Sequence, residues 1–204
     1  MSDASEWVPD RPTVPRLARA ARDCHGCELW EDATQVVFSS GDPSASLVLV
    51  GEQPGDQEDR AGEPFVGPAG RVLDRALEAA GVPRAEVYLT NAVKHFRHRL
   101  RGKRRLHQKP DVRHLVACRP WLAAELDVVD PDVVVALGAS AGRSVLGRTV
   151  RVGAERGRVL TDTGRPVVLT THPSALLRLQ DREGYAEAFD ALVADLVTAA
   201  GARG

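Results

Sequence analysis

The sequence predicts an α/β fold, a three-layer single domain with a central, mainly parallel four-stranded sheet flanked by helices. Three observations carry that reading. Apolar runs of strand length fall at 46–50, 86–90, 133–137 and 166–171. Helical patterns separate them, at 71–80, 112–126 and 139–146, and another follows at 185–200. Strands that alternate with helices imply parallel pairing, with helices on both faces of the sheet. The 204 residues are enough for one core that needs no staples.

In chain order, residues 1–12 read as a loose N-terminal tail. TVPRLARAAR (13–22) predicts a short helix ending near Asp23, before Cys24-His25-Gly26-Cys27. The run Leu47-Val48-Leu49-Val50 then empties into a stretch from Gly51 to Gly70 with five glycines and three prolines. Such a composition belongs to a loop. A polar, Gly-rich loop past a buried strand is where an open α/β sheet places its ligand site. At 71–80, Val72, Leu73, Ala76 and Leu77 share one helical side, and Gly81 closes the helix. The second strand ends at Asn91, the third at Gly138, the fourth at His172-Pro173-Ser174. The segment 150–160 alternates around Gly153 and Gly157 and predicts a small hairpin. Leu176 and Leu177 read either as core or as a wedge into stacked bases.

Global charge predicts no partner, since the formal net charge is -1. No apolar run reaches the roughly 20 residues of a membrane helix, and the first residues lack a basic, apolar leader pattern. A cytoplasmic protein without membrane contact is expected. Three cysteines in a reducing compartment point toward metal or redox use rather than a disulfide framework. Cys24 and Cys27 are spaced to grip one metal centre from a tight turn. A redox pair would follow a strand, whereas this one follows a helix. Cys118 adds a third donor and His95 is read as the fourth, ahead of His25, His98 and His114. From spacing alone, the Cys3His set suits zinc or an iron–sulfur cluster.

Glu52, Asn91 and His172 each stand just past the end of a predicted strand, the edge where open parallel sheets bind ligands. The segment KHFRHRLRGKRRLHQK (94–109) carries eight cations and no acid. That density suits phosphate backbones. His107 ends its central cluster. Flanking Arg104 and Arg105 are expected to disfavour its imidazolium form and leave a nucleophilic lone pair.

Taken together, CHGC (24–27), GEQPG (51–55), GEPFVGPAG (62–70), TNAVKHF (90–96), GKRRLH (102–107), ACRPWL (117–122) and THPSALLR (171–178) resemble the uracil-DNA glycosylase superfamily. The likeness runs from Cys24 to the final helix and is strongest to the UdgX-type members, which are family-4-like. Gln53, His95 and the loop ending in His107 are the UdgX-type features, with Leu106 where isoleucine is usual. The resemblance implies a [4Fe–4S] cluster held by Cys24, Cys27, His95 and Cys118, with zinc a weaker alternative. It implies a monomer acting on uracil-containing DNA, single-stranded by preference, with the base flipped into a pocket. Phe65 would stack on uracil and Asn91 would read its edge. Gly51, Gln53, Arg105, Ser174 and Arg178 would complete substrate binding. His172 would stabilise charge growing on uracil O2. Glu52, with Gln53, would support the cationic sugar or orient the attacking group. His107 would end joined to C1′ of the abasic deoxyribose. An ordinary turnover glycosylase is the nearest alternative; a non-catalytic iron–sulfur DNA sensor would leave Glu52, Asn91 and His172 without work.

Overall fold

The computed structural model describes residues 3–179 and 183–204. A 3-10 turn at Ala4–Trp7 precedes α1 (Val14–Ala20), a second turn at Ala21–Asp23 and α2 (Leu29–Asp32). Then come β1 (Ser39–Ser40), β2 (Leu47–Gly51), α3 (Asp56–Ala61), α4 (Pro68–Ala79) and β3 (Val87–Asn91). The middle of the chain forms β4 (His98–Arg101), β5 (Arg104–His107), α5 (Val112–Val129), β6 (Val133–Leu137) and α6 (Ala139–Leu146). It ends with α7 (Val152–Glu155), β7 (Val159–Leu160), β8 (Val167–Thr170), α8 (Ser174–Leu177) and α9 (Tyr185–Gly201).

The main sheet has the order β1-β3-β2-β6-β8-β7. The four inner strands pair in parallel, as expected. Two short antiparallel strands, β1 and β7, raise the number from four to six. Each has two residues, too few to leave a periodic signal. Every residue of β2 is buried because the sheet is covered on both sides. Val48 and Val50 pack with Leu17, Trp121 and Leu122, the side of α1, α5 and α6. Leu47 and Leu49 pack with Leu73, Leu77, Leu192 and Leu196, the side of α4 and α9.

Four local expectations change. Ala4 is buried against the molecule, so the first turn is packed rather than a loose tail. The hairpin expected at 150–160 does not form. Glu155 turns that segment into α7 by accepting from the Arg151 backbone N–H at 2.6 Å and from Arg148 Nη1 at 2.6 Å, and only β7 pairs, with β8. The Gly51–Gly70 stretch contains α3, which Gly55 and Gly62 bracket instead of breaking. Glu58 stabilises that arrangement by accepting from the backbone N–H of Gly55 at 3.1 Å and of Gly67 at 2.7 Å. Leu176 is wholly buried in the core beside α4 and α9 and Leu177 packs against it, which rules out the wedge reading.

Candidate active site

Sheet order brings the strand-end residues side by side. Along the C-terminal edge, β3 presents Asn91, β2 presents Gly51 and Glu52, β6 leads through Gly138 to Ser140, and β8 leads to His172. Gly51 pairs with Asn91 across the β2–β3 ladder. A Cβ on Gly51 would lie 2.2 Å from Asn91 Oδ1 and 2.7 Å from Phe65 Cζ, so only glycine lets these side chains close over the strand end. Phe65 adopts a positive φ of 59°. Gly70 lets α4 approach it, since a Cβ there would meet the Phe65 carbonyl oxygen at 1.7 Å. The Phe65 ring lies 6.3 Å from that of His172, inclined by 28°. An aromatic face, a buried amide and an imidazole thus stand together at the strand ends.

His172 is held in one tautomer. The Ser174 backbone N–H donates to Nδ1 at 3.1 Å, and the Ser174 hydroxyl lies 2.8 Å from the same nitrogen. Nδ1 therefore carries the lone pair and Nε2 the proton, which makes Nε2–H the available donor. Burial pushes this imidazole down to about 4, with smaller contributions from His107 and Arg178, so it is neutral at pH 7. Ser174 is thereby engaged in orienting His172. Arg178 is exposed nearby.

Glu52 uses its two oxygens differently. Oε2 accepts from Ser140 Oγ at 2.5 Å, and Oε1 lies 3.7 Å from His107 Nε2. Ser140 escaped the sequence reading, because a serine at a helix start looks like an ordinary cap.

The basic segment folds as a β4–β5 hairpin, with His98 opposite His107 and Leu100 opposite Arg105. It rests on the buried ring of Phe96. His98 stacks there at 5.0 Å, His107 tilts at 6.1 Å, and Arg105 Cζ sits 5.5 Å over the face. Gln53 clasps its base: Nε2 donates to the carbonyls of Arg97 at 3.2 Å and Gln108 at 3.0 Å, while Oε1 accepts from the Arg97 N–H at 3.1 Å. Arg105 latches the hairpin to α3. Its Nε donates to Asp56 Oδ1 at 2.6 Å, and its Nη1 donates to Asp59 Oδ2 at 2.6 Å and Thr34 Oγ1 at 2.8 Å. Gln53 and Arg105 thus bond within the chain and hold His107 in place. His107 lies below its ordinary value of 6.5 because burial disfavours the charged ring, and Glu52 opposes this. The expected arginine effect is not the cause, since Arg105 turns away to its carboxylates.

Cys24, Cys27, His95 and Cys118 line one small cavity with Ala4, Gly26, Lys94, Ala117 and Trp121. All three thiols are free. Two sulfurs already accept hydrogen bonds, Cys24 from Trp121 Nε1 at 3.3 Å and Cys118 from the Lys94 backbone N–H at 3.3 Å. Burial pushes the Cys118 thiol up to about 12 and raises that of Cys27, so a cationic centre is needed to displace their protons. The other histidines weighed as fourth donor lie elsewhere. His114 bonds Glu28 and the Asp111 N–H, His98 stacks on Phe96, and His25 stacks on Trp30. Among the described residues no three His, Cys, Asp or Glu side chains stand close enough to hold one metal ion. Three thiols and an imidazole are donors that suit either zinc or an iron–sulfur cluster.

Comparison with known proteins agrees with this architecture. The chain is 36% identical over 169 residues to a type-4 uracil-DNA glycosylase of Thermotoga maritima, covering 82% of this chain and 84% of that protein. It is 31% identical over 182 residues to a type-4 uracil-DNA glycosylase of Archaeoglobus fulgidus, covering 85% and 88%. A third type-4 uracil-DNA glycosylase, from Pyrobaculum aerophilum, is 31% identical over 173 residues, covering 81% and 85%. The sequence model of the Uracil DNA glycosylase superfamily matches residues 38–197, a span that begins after Cys24 and Cys27 but includes the whole sheet edge and the hairpin. The chain belongs to the uracil DNA glycosylase superfamily.

Proposed function

We propose that this protein excises uracil from DNA and then remains joined to the abasic site through His107. The observation that carries the second half is the 3.7 Å between His107 Nε2 and Glu52 Oε1. A carboxylate that supports a cationic C1′ would present that carbon to the imidazole. The names of the relatives, the grouping of Asn91, Phe65 and His172 and the superfamily match support the first half. In the reaction, the bond between C1′ and uracil N1 breaks and its electron pair leaves with uracil. The His172 Nε2–H donates to uracil O2 as that charge grows. The lone pair of His107 Nε2 bonds to C1′, and the proton on Nδ1 is released, which neutralises the ring and balances the uracil anion.

Arg99, Arg101, Lys103 and Arg104 are exposed on the hairpin and make no ion pair among the described residues. They and Arg178 are available to phosphates, whereas Arg97 and Arg105 serve the fold. Cys24, Cys27, His95 and Cys118 would hold a [4Fe–4S] cluster. When bound, it would tie residues 24–27 to α5 and to the segment after β3.

The direct test is denaturing electrophoresis after incubation with uracil-containing single-stranded DNA. A shifted band that survives boiling in detergent is expected; free abasic DNA accumulating beyond one equivalent, with no such band, would overturn the capture reading.

Two further outcomes follow. His172→Ala removes a donor aimed at developing charge, and single-turnover uracil release is expected to slow by about 10²–10³-fold. A loss below about threefold would show that His172 does not carry that charge. The second concerns pH. Capture needs the lone pair of His107, whose value lies below 6.5. The rate of adduct formation should therefore stay level as pH falls to about 6.5 and decline only below it. An acid limb centred above 6.5 would contradict this. Folding stability should also fall as pH drops below about 6.5, because His107 and His172 then hold fewer protons in the folded than in the unfolded chain. For His172 that loss continues down to about 4.

A further inference from the structure

We propose that Ser140 decides which nucleophile reaches C1′, by keeping one oxygen of Glu52 from water. The inference rests on the reading that His107 captures the sugar. Ser140 is the second residue of α6 and only 4% exposed. Its hydroxyl has a single proton, and its one partner among the described residues is Glu52 Oε2 at 2.5 Å. A carboxylate accepts, so the hydroxyl donates.

Water is not excluded from this edge. The Glu52 side chain is 21% exposed and that of His107 is 52% exposed. Dryness therefore does not explain why water should lose to the imidazole. The assignment of the carboxylate oxygens does. Oε2 is bonded to Ser140, and Oε1, 3.7 Å from His107 Nε2, is the oxygen on the imidazole's side, so a water using Oε2 to reach C1′ must compete with the Ser140 hydroxyl. Removing the Ser140 hydroxyl frees Oε2. A water could then donate to Oε2 and form the C1′–O bond while the bond to uracil N1 breaks. Its proton would pass to the carboxylate and the electron pair would leave with uracil, giving free abasic DNA. Ser140 is a positioning residue here, acting through Glu52.

The test compares wild type, S140A and S140T on uracil-containing single-stranded DNA, scoring covalent adduct and free abasic DNA from the same reaction. In S140A the ratio of free abasic DNA to adduct is expected to rise about tenfold or more, the scale of one hydrogen bond to a charged group. S140T keeps a hydroxyl and should return the ratio to the wild-type value. Thermal melting of each variant shows whether the fold is intact. If S140A folds and gives the wild-type ratio, or loses both products together, the role of Ser140 is overturned. A wild type that forms no adduct overturns the His107 reading and this inference with it. Trapping by both wild type and S140A at equal ratio overturns this inference alone.

Discussion

On the proposed capture reading, His107→Ser is expected to yield a protein that releases its DNA. The detergent-resistant band should vanish, and free abasic DNA should exceed one equivalent of enzyme. The reasoning starts from geometry. A tethered, oriented nucleophile reacts with an effective concentration of roughly 10⁵ M or more, far above that of bulk water. His107 meets that condition because the hairpin is fixed at three points: the Gln53 clasp at its base, the Phe96 ring beneath it and the Arg105 latch onto Asp56 and Asp59. Serine removes the imidazole and leaves space beside Glu52 that water can fill. Asn91, Phe65 and His172 are untouched, so uracil departure should persist. Two results would sink the idea: a boiling-resistant band that remains in the variant, or a folded variant that no longer releases uracil.

Much of this site is legible in the amino-acid sequence. The C-terminal edge of a parallel sheet gathers residues that lie far apart in the chain, and the apolar runs were enough to locate Glu52, Asn91 and His172 there. The cysteines and His95 stand out in the sequence by their donor chemistry, and the fold brings the four to one cavity. What stayed hidden was partnership. Nothing in the polar character of Gln53 or Arg105 says that they bond to the hairpin base and to α3. Asp56 and Asp59 lie 49 and 46 residues from Arg105, and only the folded chain joins them. Ser140 is a sharper case. It became visible only when the strand order placed β6 beside β2. The α3 segment was hidden for the opposite reason. Its flanking glycines read as loop, yet Gly62 takes a positive φ of 77° and ends the helix. Ser39–Ser40 and Val159–Leu160 became strands only because the neighbouring strand supplied a ladder.

Lys94→Ala is expected to cost about 3–5 kcal/mol of folding stability, because it strands a buried charge. Lys94 is 1% exposed and its partner Glu125 is 0% exposed. The ammonium contacts the Glu125 carboxylate directly and donates to Thr90 Oγ1 at 2.6 Å, and it lies 4.7 Å from the centre of the Phe38 ring. Tyr88 OH donates to the other Glu125 oxygen at 2.9 Å. This network joins β3 to α5 under the cysteine cavity. Burial pushes the Glu125 carboxyl up, and the Lys94 ammonium is the main influence opposing it. Without that ammonium the carboxylate must stay charged in an apolar setting or take up a proton. Either course is expensive against a total stability of about 5–15 kcal/mol. Urea unfolding should show a large fall in midpoint with little change in slope. Adding Glu125→Leu to Lys94→Met should restore most of the loss, since removing both charges of a buried pair is far cheaper than removing one. The same variants also bear on the proposed cluster. Lys94 precedes His95, and its backbone N–H reaches Cys118 Sγ. Visible absorbance from the proposed [4Fe–4S] cluster should therefore fall in Lys94→Ala and return in the double variant. A single variant that unfolds at the wild-type midpoint would show that the pair contributes nothing.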